Sequence, residues 1–251
     1  KLVYQGLFID VGDLVFIESL DYKNKRAVIS EVEPRKSFVN RPAVANVTLV
    51  SVCISVDEPL LDVDQVSRFL ITAECAKIKP IIVLTKIDLV TYNDLIFHVN
   101  KFKSWGYDCI PVSIYNSKGI DLLLERFRET KLTVLAGPSG AGKTSLINHF
   151  IPNVSLPTSS VSKKLKRGTH KTRHVELFEI GNGARLADTP GFNHPEILCE
   201  PSHFAYLFPE FRIQLTNSRC KFRNCLHRDE PGCVINKDFE RYPFYLENLE
   251  K

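Results

Sequence analysis

Over the first 42 residues, apolar and polar positions alternate in short bursts. The runs "YQGLFI", "DLVFIES" and "RAVISEV" are apolar and β-branched, and the turn-forming stretches "DVGD" and "DYKNK" interrupt them. Such runs predict short β-strands, and together they suit a small barrel or a fragment of one. From "NVTLVSVCISV" (46–56) the pattern changes. Continuous apolar runs of strand length now alternate with longer segments whose apolar residues recur at helical spacing. A helix over 60–79 precedes the strand "PIIVL", a helix over 93–104 precedes "YDCIPV", and a helix over 119–130 precedes "KLTVLAG"; a further helix begins at Lys143. This alternation predicts a doubly wound, mainly parallel α/β sheet with helices on both faces. After Pro195 the rhythm stops, and an aromatic-rich, partly helical tail surrounds a cysteine cluster. The expected organisation is multi-domain: a small β-barrel over 1–42, an α/β core over 43–197 and a small α-rich domain over 198–251.

The sharpest chemical signal lies where the strand "KLTVLA" meets the helix "KTSLINHF". The loop Gly137-Pro138-Ser139-Gly140-Ala141-Gly142-Lys143-Thr144-Ser145 has the spacing of a phosphate-binding loop. Glycines let successive backbone N–H groups curl around a phosphate, and the helix N-terminus adds a favourable dipole. Lys143 would reach the β- and γ-phosphates and Thr144 would ligate Mg²⁺. Further on, "GARLADTPGF" ends a strand in Asp188-Thr189-Pro190-Gly191. An acid there can hold Mg²⁺, usually through water, and the glycine N–H can meet the γ-phosphate.

Ahead of the loop, "PIIVLTKIDLV" places Thr85-Lys86-Ile87-Asp88 at the C-terminal end of a buried strand, where ligands sit in open α/β sheets. A carboxylate there can accept from N1–H and the N2 amino group of guanine, a donor pair that adenine lacks. Lys86 would lay its stem over the purine, and Ser113, at the tip of the next strand, would line the far side of the base. These signals resemble the guanine-nucleotide motifs of the Ras-like GTPases, with Thr85 standing where asparagine is more usual. Their order is rotated: base recognition is encoded first, then the phosphate loop, then Asp-Thr-Pro-Gly. Joining the old termini and opening new ones leaves every loop at the same sheet edge.

Near the C-terminus, Cys220, Cys225, His227 and Cys233 follow a C-x4-C-x-H-x5-C spacing. Three thiolates and one imidazole make a closed tetrahedral set suited to one structural Zn²⁺, and in so short a tail metal binding would supply much of the folding energy. Seven cysteines, four of them scattered singly, argue against a secreted disulfide framework. With 44% apolar and 25% charged residues, and no apolar run long enough to span a bilayer, a soluble cytoplasmic protein without a membrane partner is expected. The net charge of +4 does not by itself indicate a nucleic-acid partner. Methionine is absent, position 1 included, so an incomplete N-terminus is expected.

The rotated order together with the tail resembles the circularly permuted, small-ribosomal-subunit-dependent GTPases that act in small-subunit maturation. "RPAVANV" (41–47), "KLKRGTHKT" (164–172) and "CKFRNCLHRDEPGC" (220–233) carry the resemblance further, over nearly the whole chain. It implies an OB-like barrel, a permuted P-loop GTPase core and a zinc-binding domain that docks on ribosomal RNA. GTP and GDP, the small subunit and its rRNA are the implied partners of a monomeric switch.

Between the phosphate loop and Asp188, residues 163–173 hold six Lys or Arg and no acid, the densest positive stretch of the chain. Such a run can meet rRNA phosphates, and by position it would fold over γ-phosphate and Mg²⁺. The family pattern Gly-Arg-His-Thr-Thr-Thr corresponds to Gly168–Arg173, which favours Thr172 as the Mg²⁺ ligand, with Thr169 as the other candidate. The residue after Asp-Thr-Pro-Gly is Phe192, so the usual water-orienting glutamine is missing. His170 is expected to take that role, with His194 as its rival. Two other functions compete with the GTPase switch: an RNA-binding scaffold whose GTP site regulates affinity, and an ATPase or kinase, which Asp88 disfavours.

Overall fold

The computed structural model describes residues 8–40, 42–151, 154, 156, 175–188, 197 and 199–249. At its centre is a six-stranded sheet in the order β7-β6-β5-β8-β10-β9. It comprises β5 (Leu49–Ser55), β6 (Lys79–Thr85), β7 (Cys109–Pro111), β8 (Leu132–Ala136), β9 (Glu176–Gly181) and β10 (Ala184–Asp188). All neighbours pair in parallel except β9, which runs antiparallel to β10 through a tight turn.

β5 and β8 are buried at every position, which explains their unbroken apolar runs: a sheet covered on both faces has no polar side. Alternate residues serve two separate cores. Val50, Val52, Ile82, Leu84 and Val134 meet α1 (Val63–Cys75) and α2 (Tyr92–Ser104) through Phe69, Leu70 and Phe102. Leu49, Cys53, Ile81, Val83 and Leu135 meet α3 (Ile120–Arg128) and α4 (Lys143–Phe150) through Leu123, Phe127, Leu146 and Ile147. α1 is shorter than the 60–79 expected from periodicity. The Asp62 carboxylate caps its start by accepting from the N–H groups of Asp64 and Gln65 at 3.0 Å, and Lys77 ends the turn at φ 57°.

Before the sheet, β1 (Val15–Asp21) and β2 (Arg26–Val32) form an antiparallel pair, as do β3 (Phe38–Asn40) and β4 (Ala43–Ala45). Among the described residues these are two separate two-stranded sheets rather than a closed barrel. The β3–β4 pair crosses residue 42, and Val39, Val44 and Val47 join the core beneath α1 and α2.

After the sheet come α5 (Pro201–Phe204), a 3₁₀ turn at Ala205–Leu207, α6 (Pro209–Asn217) and α7 (Tyr242–Leu249). Their core of Phe204, Phe208, Phe211, Phe244 and Tyr245 rests on Ile71 of α1. Arg241, fully buried, makes a two-pronged ion pair with Glu210, with Nε donating at 2.8 Å and a terminal N–H at 2.5 Å. Its guanidinium lies 4.9 Å from the Trp105 ring and 5.2 Å from the Tyr107 ring, so the last helix of the tail is fastened to the connection between α2 and β7.

Candidate functional site

Because β5, β6, β7, β8 and β10 are parallel, their C-terminal ends share one sheet edge, the ligand edge of open α/β folds. Thr85, Ala136 and Asp188 end their strands there, and Ser113 follows the end of β7 by two residues.

The phosphate loop leaves β8 at Gly137, whose φ of +128° excludes ordinary side chains and where a Cβ would stand 2.2 Å from the carbonyl oxygen of Cys53 on β5. Only glycine permits this approach. Gly140 and Gly142 adopt φ +86° and +88°, and Gly142 starts α4 without a side-chain cap. The loop thus leaves the first N–H groups of α4 without an intrahelical partner, as at any helix start. Lys143 Nζ donates to the carbonyls of Gly137 and Pro138, each at 2.7 Å. Burial pushes its pKa below the usual lysine value, and Cys53 and Asp188 oppose that shift; β10 pairs with β8, so its tip stands beside the loop. Thr144 and Ser145 are half-buried on the first turn of α4, while Ser139 is exposed at the loop's crest and Ala141 is buried beneath it.

The Thr85–Asp88 loop is tied to the phosphate loop directly. Thr85 Oγ1 donates to the carbonyl of Ala141 at 2.8 Å and lies 3.3 Å from that of Ile54. Thr85 is buried, so its hydroxyl serves as a bracket between two loops, a role that its place in the motif did not disclose. Lys86 takes a left-handed backbone at φ 60°, and its Nζ donates to the carbonyl of Glu58 at 2.5 Å. Ser113 Oγ donates a short hydrogen bond to Asp88 Oδ1. Ser113 is fully buried and stands behind the carboxylate, and its side chain does not border the cavity between the loops. A cavity of about 410 Å³ opens between the two loops, bounded by Thr85, Lys86, Asp88, Tyr115, Gly142 and Ser145 among others.

Thr172, His170 and Gly191, together with Thr169, His194 and the whole of the basic run 163–173, lie outside the described residues.

A second cluster stands apart from the edge. The ligand atoms of Cys220, Cys225, His227 and Cys233 all lie within 4.8 Å of one another, a group able to hold a metal ion. The three sulfurs are 3.5, 3.6 and 3.6 Å from His227 Nδ1, and Cys220 and Cys233 Sγ are 4.0 Å apart. Burial, with the neighbouring thiols, pushes the Cys225 thiol up to about 12. The loop is held from outside. Glu230 accepts from the N–H groups of Leu226 and Arg228, both at 2.8 Å. The hydroxyls of Tyr242 and Tyr245 donate to the carbonyls of His227 and Leu226 at 2.8 and 2.6 Å. Among the described residues, no helix is long and apolar enough to cross a membrane.

A parallel sheet with a glycine-lysine-threonine loop at its centre, and the base-recognition loop encoded ahead of it, defines a P-loop GTPase of circularly permuted order. The chain belongs to the RsgA GTPase family, whose profile matches residues 32–198. It is 80% identical over 251 residues to the "Small ribosomal subunit biogenesis GTPase RsgA" of Prochlorococcus marinus strain NATL1A, covering all of this chain and 80% of that protein. Identity is 47% to the protein of the same name from Parasynechococcus marenigrum, of which 84% is covered. Among solved structures, YjeQ from Thermotoga maritima matches with a TM-score of 0.79 at 29% identity, over 98% of this chain and 85% of that one. YloQ, described as a circularly permuted GTPase, matches at 0.76 and 28%, over 99% and 82%.

Proposed function

We propose that the chain hydrolyses GTP at this edge and acts as a late switch in small ribosomal subunit assembly, binding rRNA and leaving after hydrolysis. The carrying observation is that one edge unites a phosphate loop with a carboxylate, Asp88, held in place by Ser113. The names of the relatives point the same way.

In this reading Asp88 accepts from the guanine edge, Lys86 packs along the base, and Thr85 and Ser113 position the two. The backbone of Gly137, Pro138, Ser139, Gly140, Ala141 and Gly142 cradles the phosphates, with Lys143, Thr144 and Ser145 at the helix start. On nucleotide binding, Lys143 exchanges its two loop carbonyls for phosphate oxygens; the buried ammonium then gains a full negative partner and steadies charge on the departing diphosphate. Thr144, on the first turn of α4, and Asp188, at the end of β10 beside β8, carry the oxygen atoms that Mg²⁺ would favour; Thr172 completes the proposed magnesium set, and the Gly191 N–H is proposed to meet the γ-phosphate. Bound there, Mg²⁺ neutralises phosphate charge. His170 is the proposed water-orienting group.

At the Cys/His cluster the proposed ion is one structural Zn²⁺. Bonds of about 2.3 Å to sulfur and about 2.0 Å to nitrogen give tetrahedral edges of about 3.5 Å (S to N) and about 3.8 Å (S to S), close to the 3.5 Å between Cys220 Sγ and His227 Nδ1 and the 4.0 Å between Cys220 and Cys233 Sγ. The proposed units are an OB-like 1–42, a GTPase core 43–197 and a zinc domain 198–251, the outer two meeting rRNA. The protein is proposed to act in the cytoplasm as a monomer, without a membrane partner.

Turnover of GTP and ATP, with and without purified small subunits, tests this. GTP should be preferred and its hydrolysis strongly stimulated. Equal use of ATP would refute the guanine assignment, and indifference to the subunit would favour a scaffold whose GTP site only tunes affinity. His170→Ala should lose most of the stimulated rate with GTP affinity unchanged; full retention would remove His170 from the mechanism.

A further inference from the structure

The far wall of the base cavity was expected to be Ser113, yet that side chain is fully buried and engaged with Asp88. Val112, Ile114 and Tyr115 reach the cavity from the same turn; Val112 and Ile114 are packed into the core beneath the sheet, which leaves Tyr115 as the exposed side chain of the three. Its ring is 90% exposed and, among the described residues, makes no hydrogen bond or ring contact. A free aromatic face on the rim of a 410 Å³ cavity, beside a carboxylate suited to a guanine edge, is an open stacking surface.

The turn that carries it is held on both sides. Ser113 N–H donates to the Lys118 carbonyl at 2.9 Å, Asn116 N–H approaches Ser113 Oγ at 3.4 Å, and Lys118 N–H donates to Asn116 Oδ1 at 3.2 Å. Ser117 and Gly119 take left-handed backbones, and a Cβ on Gly119 would sit 2.2 Å from the carbonyl oxygen of Pro111. The aromatic residue is therefore presented by a fixed backbone, so closing its ring over a ligand costs side-chain rotation alone.

We propose that Tyr115 stacks on the guanine base, which is thereby held between the Tyr115 ring and the stem of Lys86 while Asp88 reads its edge. The inference rests on the guanine-nucleotide reading of this site. Lys86 is suited to its half, because it lines the same cavity while its Nζ is tied to the Glu58 carbonyl. Stacking acts on the base alone, so it contributes equally to GTP and GDP and does not depend on the N2 amino group that Asp88 recognises.

The test is equilibrium binding of GTP, GDP and ITP to the full chain and to Tyr115→Ala and Tyr115→Phe, with thermal melting as a control on folding. Tyr115→Ala should weaken all three nucleotides by a similar factor, about tenfold, and leave the melting temperature unchanged. Tyr115→Phe should retain wild-type affinity, since the ring and not the hydroxyl does the stacking. The inference is overturned if Tyr115→Ala binds within twofold of wild type, if GTP is weakened while GDP is not, or if the phenylalanine variant is as weak as alanine. Failure of the underlying reading looks different: the unmodified chain would then bind ATP as well as GTP, whatever residue 115 is.

Discussion

At the scale of single residues, the phosphate site is built around a lysine that is costly to keep. Lys143 is largely removed from water, and burial lowers its pKa, so in the nucleotide-free chain its charge is unfavourable. Because the folded value lies below the ordinary 10.5, this cost is present in full at neutral pH and fades as pH rises toward 10.5, where the unfolded chain also deprotonates. Lys143→Met should therefore give a nucleotide-free protein with an equal or higher melting temperature at pH 7. GTP affinity should fall on the order of a hundredfold, with the loss of a charge-assisted phosphate contact. A melting temperature clearly below wild type would show that its bonds to the Gly137 and Pro138 carbonyls outweigh the desolvation.

At the scale of elements, the phosphate loop depends on its fit against the neighbouring strand. Gly137 passes so near the Cys53 carbonyl that any Cβ forces β5 and β8 apart, and its backbone angle is itself closed to alanine. Gly137→Ala should destabilise the chain by at least about 2 kcal/mol in denaturant unfolding and abolish nucleotide binding. An alanine variant that bound GTP normally would mean the loop can be rebuilt. The Cys/His loop is an element of a different kind, with few apolar residues of its own and four ligand atoms at its centre. Stripping metal with a strong chelator should raise amide exchange across 218–235 by orders of magnitude while β5, β6 and β8 keep their protection.

At the scale of the whole molecule, the tail is joined to the GTPase core by buried polar chemistry as well as by packing. Arg241 and Glu210 are enclosed together, and Arg212 adds a bidentate pair with Glu74 of α1 at 3.0 Å. Arg241→Ala would strand the Glu210 carboxylate in an aromatic environment, an expected loss of about 3–5 kcal/mol on unfolding. Adding Glu210→Leu should recover part of it, because no lone charge then remains. Equal stabilities for the single and double variants would argue that the ring contacts, and not the ion pair, hold the junction.

The amino-acid pattern alone determined the alternation of strands and helices, the phosphate loop, the rotated order of motifs and the Cys/His spacing. Each of these is local: periodicity and short spacings depend on backbone geometry that neighbouring residues set by themselves. The tertiary structure decided which side chains are tied into the scaffold of the site and which are left exposed at the cavity. Ser113 and Thr85 carried the right chemistry in the right motifs, but both are turned inward, one to hold Asp88 and the other to bracket Ala141. Tyr115 was invisible because one tyrosine in a turn has no pattern around it. Arg241 likewise looked like one more basic residue of the tail until its carboxylate partner, 31 positions away, and the rings of the core closed around it. Contacts between distant segments are not encoded in spacing, so a side chain's role at such a place depends on how the elements pack.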